Sequence, residues 1–348
     1  MSITDDVLAL VNAGRTHLNA LVDDHALELA RAWVKASDDL APEFEVAVAE
    51  LLAGAENGDV ITAAQVHRAR RLQQAFAHAQ EQAEALAQLT AETTAATIPE
   101  IVGWADDTTQ ATVMAQLQHL PDLPTWVRLD PTAADAITAR ATQTIHALSI
   151  PLTGVMIDGM KASLRGGIIV GANPRATARR ILDRLNGEFN GGLARAERIA
   201  RTEQLDAHRV AQHAVEQANT SVLKGWVWYT TFDSRTCISC LVKHGTEYPI
   251  EEYGPDDHQN GRCTRLPITK TAAELGFVGV KEPPHQIPDA RAWFDNLTED
   301  SQREIMGPGR LKLYQDGVAS WEDMSVRRES PAWRDSWGVP TVAQLKGE

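Results

Sequence analysis

Three cysteines and one histidine in the last third of the chain carry the clearest chemical signal. Cys237 and Cys240 form a Cys-x-x-Cys pair, and His258 and Cys263 follow it. Structural zinc is held by four thiolate or imidazole ligands at tetrahedral corners, and a Cys-x-x-Cys turn supplies two of them. The spacing therefore predicts a zinc site made by Cys237, Cys240, His258 and Cys263. Four protein ligands leave no open position on the metal, which favours a structural over a catalytic role.

Other side chains nearby could take part instead. His244 could replace His258 as a ligand, and Asp256 or Asp257 could donate an oxygen atom. The cysteines could also be reduced thiols that pack as small apolar side chains. A disulfide framework is the less favoured interpretation, because the cysteines are odd in number and all lie between residues 237 and 263.

Short strands are needed to position these ligands. Residues 225–232 are rich in aromatic and β-branched side chains, which favours a strand. Residues 246–250 and 263–268 are shorter runs that could pair with it. The Cys237–Cys240 pair and Cys263 lie near the ends of these runs. The pattern therefore predicts a small sheet that a metal ion holds together.

The chain before this sheet has helical periodicity. From about residue 3 to 55 one apolar stripe predicts a helix, interrupted at Pro42; the stripe consists of Val11, Leu18, Val22, Leu29 and Trp33. After a turn at Gly58 and Asp59, a second helix has a seam of small and large residues, namely Ala69, Leu72, Phe76, Ala79, Ala83 and Leu86. These helices predict a long hairpin or bundle, with an oligomeric coiled coil as the alternative.

A second helical unit is expected after Asp130, whose side chain can cap it, with a break at Pro151. The glycine-rich residues 164–174 lack the pattern of a phosphate-binding loop. A further helix is predicted from Arg175 to about residue 187, and glycines 191 and 192 should separate it from the next one. In that next helix, Glu197 and Arg201 have the spacing of an exposed ion pair.

Together these patterns predict a mainly α protein in four parts. A helical hairpin or bundle spans residues 1–125, and an arginine-rich helical unit spans 126–222. A small α+β core of the zinc-knuckle type spans 223–282, and an irregular helical tail spans 283–348.

Charge and hydropathy narrow the function classes. The formal net charge of -14 argues against a protein that coats nucleic acid along its whole surface. Residues 161–209 are the exception, with one lysine and nine arginines against five acids, a net charge of +5. This stretch is either a solvated helical surface or a contact for DNA or another acidic partner. The sequence has no apolar run of membrane-spanning length and no export signal at its start, so we expect a protein made and kept in a cytosol.

Several motifs together resemble a known family. Residues 199–203 read Ile-Ala-Arg-Thr-Glu, and residues 233–240 read Asp-Ser-Arg-Thr-Cys-Ile-Ser-Cys. With His258 and the Arg262-Cys263 pair, they resemble the core of Mu F-like phage minor head proteins. The matching positions are Arg201, Thr202, Glu203, Asp233, Arg235, Cys237, Cys240, His258, Arg262 and Cys263. Gly261 departs from the pattern, since the family usually has a cysteine there. Residues 305–317 are similar to the tail of family members from actinobacterial phages.

The resemblance implies a virion structural protein and not an enzyme. Such a protein takes part in head morphogenesis, is assembled in the host cytoplasm and ends in the head interior or at the portal vertex. The implied partners are the portal protein, the major capsid or scaffold proteins and the packaged phage DNA, and an oligomer is compatible with this role.

Two other functions fit parts of the pattern. A nuclease of the His-Asn-His kind is suggested by Cys-x-x-Cys beside Asp257 and His258, but a histidine bound to structural zinc could not serve as its general base. A zinc-braced DNA-binding regulator would need a basic recognition helix beside the knuckle, which this sequence lacks. Cleavage of supercoiled plasmid would favour the first function, and tight sequence-dependent binding to duplex DNA the second.

Overall fold

The computed structural model describes residues 3–55, 58–165, 168–169, 174–330 and 334–347 of the 348-residue protein, without the side chains of residues 165, 168, 169 and 174. In chain order the elements are α1 (Asp5–Ala53), β1 (Val60–Ile61), α2 (Ala63–Arg68), α3 (Arg70–Ala96), α4 (Ile98–Leu117), α5 (Pro131–Ser149), α6 (Pro151–Arg165), β2 (Ile168–Ile169), α7 (Pro174–Ala218), β3 (Leu223–Tyr229), α8 (Ile238–Lys243), β4 (Glu247–Pro249), β5 (Thr264–Thr269), α9 (Ala290–Asp295), α10 (Glu299–Met306), α11 (Pro308–Gln315), β6 (Val326–Arg328), β7 (Ser336–Gly338) and α12 (Val342–Lys346). The described chain is mainly helical with small antiparallel sheets, as predicted.

The chain forms two compact units. Unit 1 contains Met1–Ala20, Pro99–Thr138 and Leu205–Glu348, and unit 2 contains Leu21–Ile98 and Ala139–Gln204. The glycine-rich stretch singled out in the sequence falls mostly outside the described residues, at 166–167 and 170–173, so its lack of a phosphate-binding role stays a prediction. None of the described helices is both long and apolar enough to cross a bilayer.

Unit 2 has an apolar core made by helices. Trp33 and Phe44 of α1, Phe76 of α3, Met156 of α6 and Phe189 of α7 are buried in one cluster. The predicted seam is confirmed from Leu72 onward, because Leu72, Phe76, Ala79, Ala83 and Leu86 are all buried. Its first member, Ala69, lies just before α3 and is partly buried. Periodic apolar residues on a helix form a stripe that must pack against another element, which is why this part of the pattern could be interpreted correctly.

The predicted interruption at Pro42 is wrong, because α1 continues through this residue. A proline inside a helix costs about 3 kcal/mol, since it removes one backbone hydrogen bond and crowds the preceding turn. Leu40 and Phe44 on either side are buried in the unit 2 core. Full burial of each such side chain stabilises the fold by about 1.5–3 kcal/mol, so packing of both flanks offsets the cost.

The predicted break at glycines 191 and 192 is also wrong, because α7 continues as one helix. A Cβ atom placed on Gly192 would lie 2.9 Å from Met156 Sδ and 3.0 Å from Trp33 Cζ2. The glycine therefore permits close helix packing and does not end the helix. Arg201 of the same helix forms its ion pair with Asp23 of α1, and not with Glu197 as the spacing had suggested.

Unit 1 contains the three-stranded antiparallel sheet in the order β4-β3-β5. Both predicted pairings with β3 are confirmed, with Trp226 opposite Tyr248 on one side and opposite Pro267 on the other. Val227 and Tyr229 pack with Ile3, Val7 and Val11 near the start of the chain. Alternate residues of a strand point to opposite faces. Accordingly, Trp226 and Trp228 lie in a different cluster, together with Cys240 and Cys263.

The region after the sheet packs on α8. Ile238 and Leu241 of α8 are buried with Phe294 of α9, Met306 of α10 and Trp321. Hairpin β6-β7 reaches the loop that follows β4, where Trp337 N–H donates to the carbonyl of Asp256 over 2.8 Å. The predicted irregular helical tail therefore packs against α8, the helix that contains Cys240.

Candidate metal centre

A tight turn ahead of α8 presents Cys237. The backbone N–H of Arg235 donates to Asp233 Oδ1 over 2.9 Å, and the Thr236 hydroxyl donates to the carbonyl of Thr231 over 2.6 Å. Two nitrogen atoms of Arg262 donate hydrogen bonds to the same carboxylate, over 2.9 and 2.6 Å. Such bidentate pairs fix geometry as well as adding energy. Asp233 and Arg262 therefore tie the turn before Cys237 to the segment that enters β5.

Cys237 and Cys240 lie one helical turn apart at the start of α8. Cys237 is the residue just before the helix, in an extended conformation, and its carbonyl accepts the N–H of Cys240 over 3.1 Å. Cys240 is buried and Cys237 is partly buried. The Cys-x-x-Cys spacing thus brings both thiols to one end of a short helix, as zinc knuckles require.

His258 lies against this pair. Its Nε2 atom is 3.0 Å from Cys237 Sγ and 3.7 Å from Cys240 Sγ. Its Nδ1 atom is 2.7 Å from the carbonyl oxygen of Gln259, which can only accept a hydrogen bond. A proton on Nδ1 leaves the lone pair of Nε2 free to bind a metal. Metal-bound histidines usually donate a hydrogen bond of this kind from their other ring nitrogen.

The three side chains fit a zinc ion. Their potential ligand atoms all lie within 4.8 Å of one another. Zn–S bonds of about 2.3 Å and Zn–N bonds of about 2.0–2.1 Å at tetrahedral angles put sulfur and nitrogen about 3.5 Å apart. The two observed distances, 3.0 and 3.7 Å, lie on either side of that value. Two thiols and an imidazole are also the donor types that zinc prefers.

Cys263, the fourth predicted ligand, adjoins this group. It is buried in the same cluster as Cys240, and the two thiols interact. Its Sγ atom is 3.6 Å from Thr230 Oγ1, to which it can donate. Among the described residues, the group whose ligand atoms are mutually close contains Cys237, Cys240 and His258 but not Cys263.

The electrostatics of the group favour one charged thiol. Hydrogen bonding by the Cys240 thiol, and next the nearby His258, hold the pKa of Cys237 well below its ordinary value. Cys237 in turn raises the pKa of His258 to about 10. Hydrogen bonding with Cys237, and next with Cys263, raises the pKa of Cys240. A thiolate beside an imidazolium is a pair from which a divalent cation can displace a proton.

The alternative ligands considered from the sequence lie elsewhere or have other partners. His244 contacts the rings of Tyr229 and Phe232, and burial lowers its pKa to about 4. Asp256 pairs with Arg327 at 2.9 Å. Asp257 is buried and pairs with Arg209 at 2.9 Å.

Arg209 is a residue whose role the sequence did not reveal. From α7 it donates to Asp257, to the carbonyl of Gly261 over 2.6 Å and to the carbonyl of Cys263 over 3.0 Å. It therefore holds both ends of the loop between His258 and β5. A Cβ atom on Gly261 would lie 2.1 Å from Asp257 Oδ2, so this carboxylate fills the space that a side chain at residue 261 would need.

A second buried ion pair was also missed. Arg265 of β5 and Glu216 of α7 are both fully buried, with nitrogen and oxygen 2.7 Å apart. The Arg265 guanidinium lies 4.2 Å from the centroid of the Trp226 ring. The sequence did contain one signal, an arginine within an apolar strand. Buried charges are rare unless paired, so this arginine indicated a buried partner. Its partner, 49 residues earlier, could not be found from local spacing.

Comparison with known proteins identifies the family that this region resembles. Residues 158–266 match the family Phage Mu protein F like protein. The resemblance inferred from the motifs is thus confirmed, while the actinobacterial-phage type stays a prediction. Neither the curated proteins nor the solved structures contain a match.

The Mu F-like segment contains the whole of α7, β3, α8 and β4 and the start of β5. It therefore includes all four predicted zinc ligands and the Arg209–Asp257 pair. Its motif residues at 201–203 lie on α7, where Thr202 and Glu203 are buried and Arg201 contacts Asp23. The motif residues Asp233 and Arg262 pair with each other, and Arg235 contributes its backbone N–H to the same turn.

Proposed function

We propose that this protein is a non-enzymatic minor head protein, which assembles with the portal and with capsid or scaffold proteins during phage head morphogenesis. The observation that carries the proposal is the match of residues 158–266 to the Mu F-like family, over the segment that contains the cysteine and histidine group. In this role the protein works by binding and ends in the virion, in the head interior or at the portal vertex.

We further propose structural zinc bound by Cys237, Cys240, His258 and Cys263. The donor set and the sulfur–nitrogen distances support the first three ligands. The burial of Cys263 in one cluster with Cys240 supports Cys263 as the proposed fourth ligand. When bound, the ion contributes folding free energy and carries out no reaction. His258 is then occupied by the metal and is not available as a general base, which disfavours the nuclease function.

Co-expression with the portal protein of the same phage tests the proposed assembly. Size-exclusion chromatography should show both proteins in one peak, and metal analysis of that peak should find zinc. A Cys237→Ser variant separates the two parts of the proposal, because it should lose zinc whether or not the portal is bound. Separate elution of the wild-type protein and the portal at micromolar concentrations would contradict the portal assignment.

Helix α7 is the proposed contact for packaged DNA or another acidic surface. Its exposed arginines in unit 2 are Arg175, Arg179, Arg180, Arg184, Arg195 and Arg198. They stand in a chain of net charge -14, so the positive charge is local. Contacts to phosphate release counterions, and the affinity should therefore fall steeply with salt. Replacing Arg195 and Arg198 by glutamate should weaken duplex binding and flatten this salt dependence; binding unchanged by the two substitutions would refute the contact.

A further inference from the structure

Arg15 of α1 is a buried cation that forms no ion pair with any carboxylate of the described residues. The residue is 7% exposed, and its Nη2 donates to the carbonyl of Arg262 over 2.7 Å. Its Nε and Nη1 atoms are buried and lack a hydrogen-bond partner in the described structure. Cys263, Tyr229 and Asp233 act on Arg15 electrostatically, in that order, and its guanidinium carbon lies 5.4 Å from the centroid of the Tyr229 ring. Asp233, the carboxylate among them, is paired with Arg262. A guanidinium does not lose its proton in proteins, so the positive charge of Arg15 persists.

The neighbouring arginines differ from Arg15 in having partners. Each of the three that line a cavity with it lies close to one carboxylate: Arg209 to Asp257 at 2.9 Å, Arg262 to Asp233 at 2.6 Å, and Arg265 to Glu216 at 2.7 Å. Asp257 also lies 3.9 Å from Arg334, so none of these three carboxylates is left over for Arg15. An uncompensated buried charge is strongly destabilising, which creates a need for a counter-ion.

Two small cavities of unit 1 border Arg15, with volumes of about 20 and 10 Å³. A volume of about 10–15 Å³ is the least that holds one water molecule, so the larger cavity accommodates a single small species. His208 lines both cavities and Gln212 the larger one, and both side chains carry N–H groups. Burial, Arg209 and Arg15 lower the pKa of His208 to about 3, so its imidazole can donate without adding positive charge.

We propose that Arg15 binds a small monovalent inorganic anion of halide size in the larger cavity. The two unpartnered N–H groups supply the donors, and the anion supplies the negative charge that the described carboxylates do not. A water molecule could accept the hydrogen bonds but could not compensate the charge. A phosphate or an organic carboxylate is too large for this volume. The larger cavity lies within unit 1 and is lined by no cysteine, whereas Cys263 lines the smaller one. The proposal does not rest on the proposed head-assembly function.

Unfolding of the purified full-length protein in sodium chloride and in sodium gluconate of equal ionic strength tests the proposal. A ligand that binds only the folded state raises stability with its concentration. We expect chloride and bromide to stabilise the protein saturably, with the unfolding equilibrium constant about tenfold lower at ten times the dissociation constant. Crystals soaked in bromide should show anomalous scattering next to the Arg15 guanidinium.

Two variants of equal charge change make the test specific. Arg15→Met should abolish the halide dependence, whereas Arg70→Met, at an exposed position of α3, should retain it. Equal stability of the wild type in chloride and gluconate would overturn the proposal, and would leave the Cys263 thiolate as the counter-charge. A halide effect that survives in Arg15→Met would overturn it as well. If Arg15→Met does not fold, the bromide signal in wild-type crystals decides, and its absence at Arg15 refutes the site.

Discussion

Unit 2 buries Trp33, Phe76 and Phe189 in a core of apolar helix faces, whereas unit 1 buries two arginine–carboxylate pairs and two cysteine thiols around its small sheet. An apolar core loses stability in proportion to the packing that is removed. A buried ion pair or metal site behaves differently, because loss of one member leaves the others unpaired in a region without water. Single substitutions should therefore have larger effects around the sheet of unit 1 than on the helices of unit 2.

The largest effect is expected from loss of the metal. Structural zinc contributes on the order of 10 kcal/mol in small zinc-binding peptides, so a chelator should sharply lower the stability of unit 1. Cys237→Ser and Cys240→Ser should abolish zinc binding, as measured by elemental analysis. Cys263→Ser should do the same if Cys263 is the fourth ligand. Ser239→Ala, between the two cysteines, is the matched control and should keep one zinc per chain; zinc-free wild-type protein would contradict the site.

The next effect is the loss of one member of a buried pair. Asp257→Asn keeps the size of the side chain but leaves Arg209 without its counter-charge, which should cost about 3–5 kcal/mol in the free energy of unfolding. Asp23→Asn breaks the Arg201 pair of unit 2, whose side chains are 31% and 42% exposed. Exposed pairs contribute at most about 1 kcal/mol. Urea titrations of both variants measure the contrast, and equal losses would remove the distinction between the units.

Two adjacent glycines test the packing of unit 2. Gly192→Ala places a methyl group against Met156 and Trp33, and overpacking of this kind costs about 1–3 kcal/mol. At Gly191 an added Cβ meets nothing within 4 Å. Gly191→Ala should therefore stabilise α7 by about 0.5–1 kcal/mol. Thermal unfolding should move in opposite directions for the two variants, and a shift in the same direction would show that Gly192 is not packed as described.

The smallest effect is a pH dependence in unit 1. Burial, with Arg209 and Arg15, lowers the pKa of His208 to about 3, while the unfolded chain takes up a proton near pH 6.5. The depressed pKa keeps His208 neutral in the folded state. The free energy of unfolding is therefore highest above pH 6.5 and falls as the pH decreases toward 3. Between pH 8 and 5.5 the loss should be on the order of 1 kcal/mol.

Denaturant titrations across this pH range provide the measurement for His208. His208→Gln should flatten the dependence on pH, and His67→Asn, at an exposed position of α2, should leave it as in the wild type. An unchanged profile in His208→Gln would show that another group takes up the proton.

The sequence predicted elements better than it predicted their ends. The seam of α3 and the pairing of three strands followed from periodicity and residue type, because each depends on neighbours along the chain. Local conformational preference alone predicts helix breaks at Pro42 and Gly192, and neither break forms. Tertiary packing decided both, since Leu40, Phe44, Met156 and Trp33 come together only in the folded helices.

By itself the sequence determined which chemical groups the candidate site contains. The Cys-x-x-Cys spacing, the later His258 and the family motifs identified thiol and imidazole groups that a short helix and a loop can bring together. Only the tertiary structure decided what surrounds them. Arg209, Asp257 and Arg15 are ordinary charged residues in the sequence, and they acquire a role because the fold removes them from water, where a charge must have a partner.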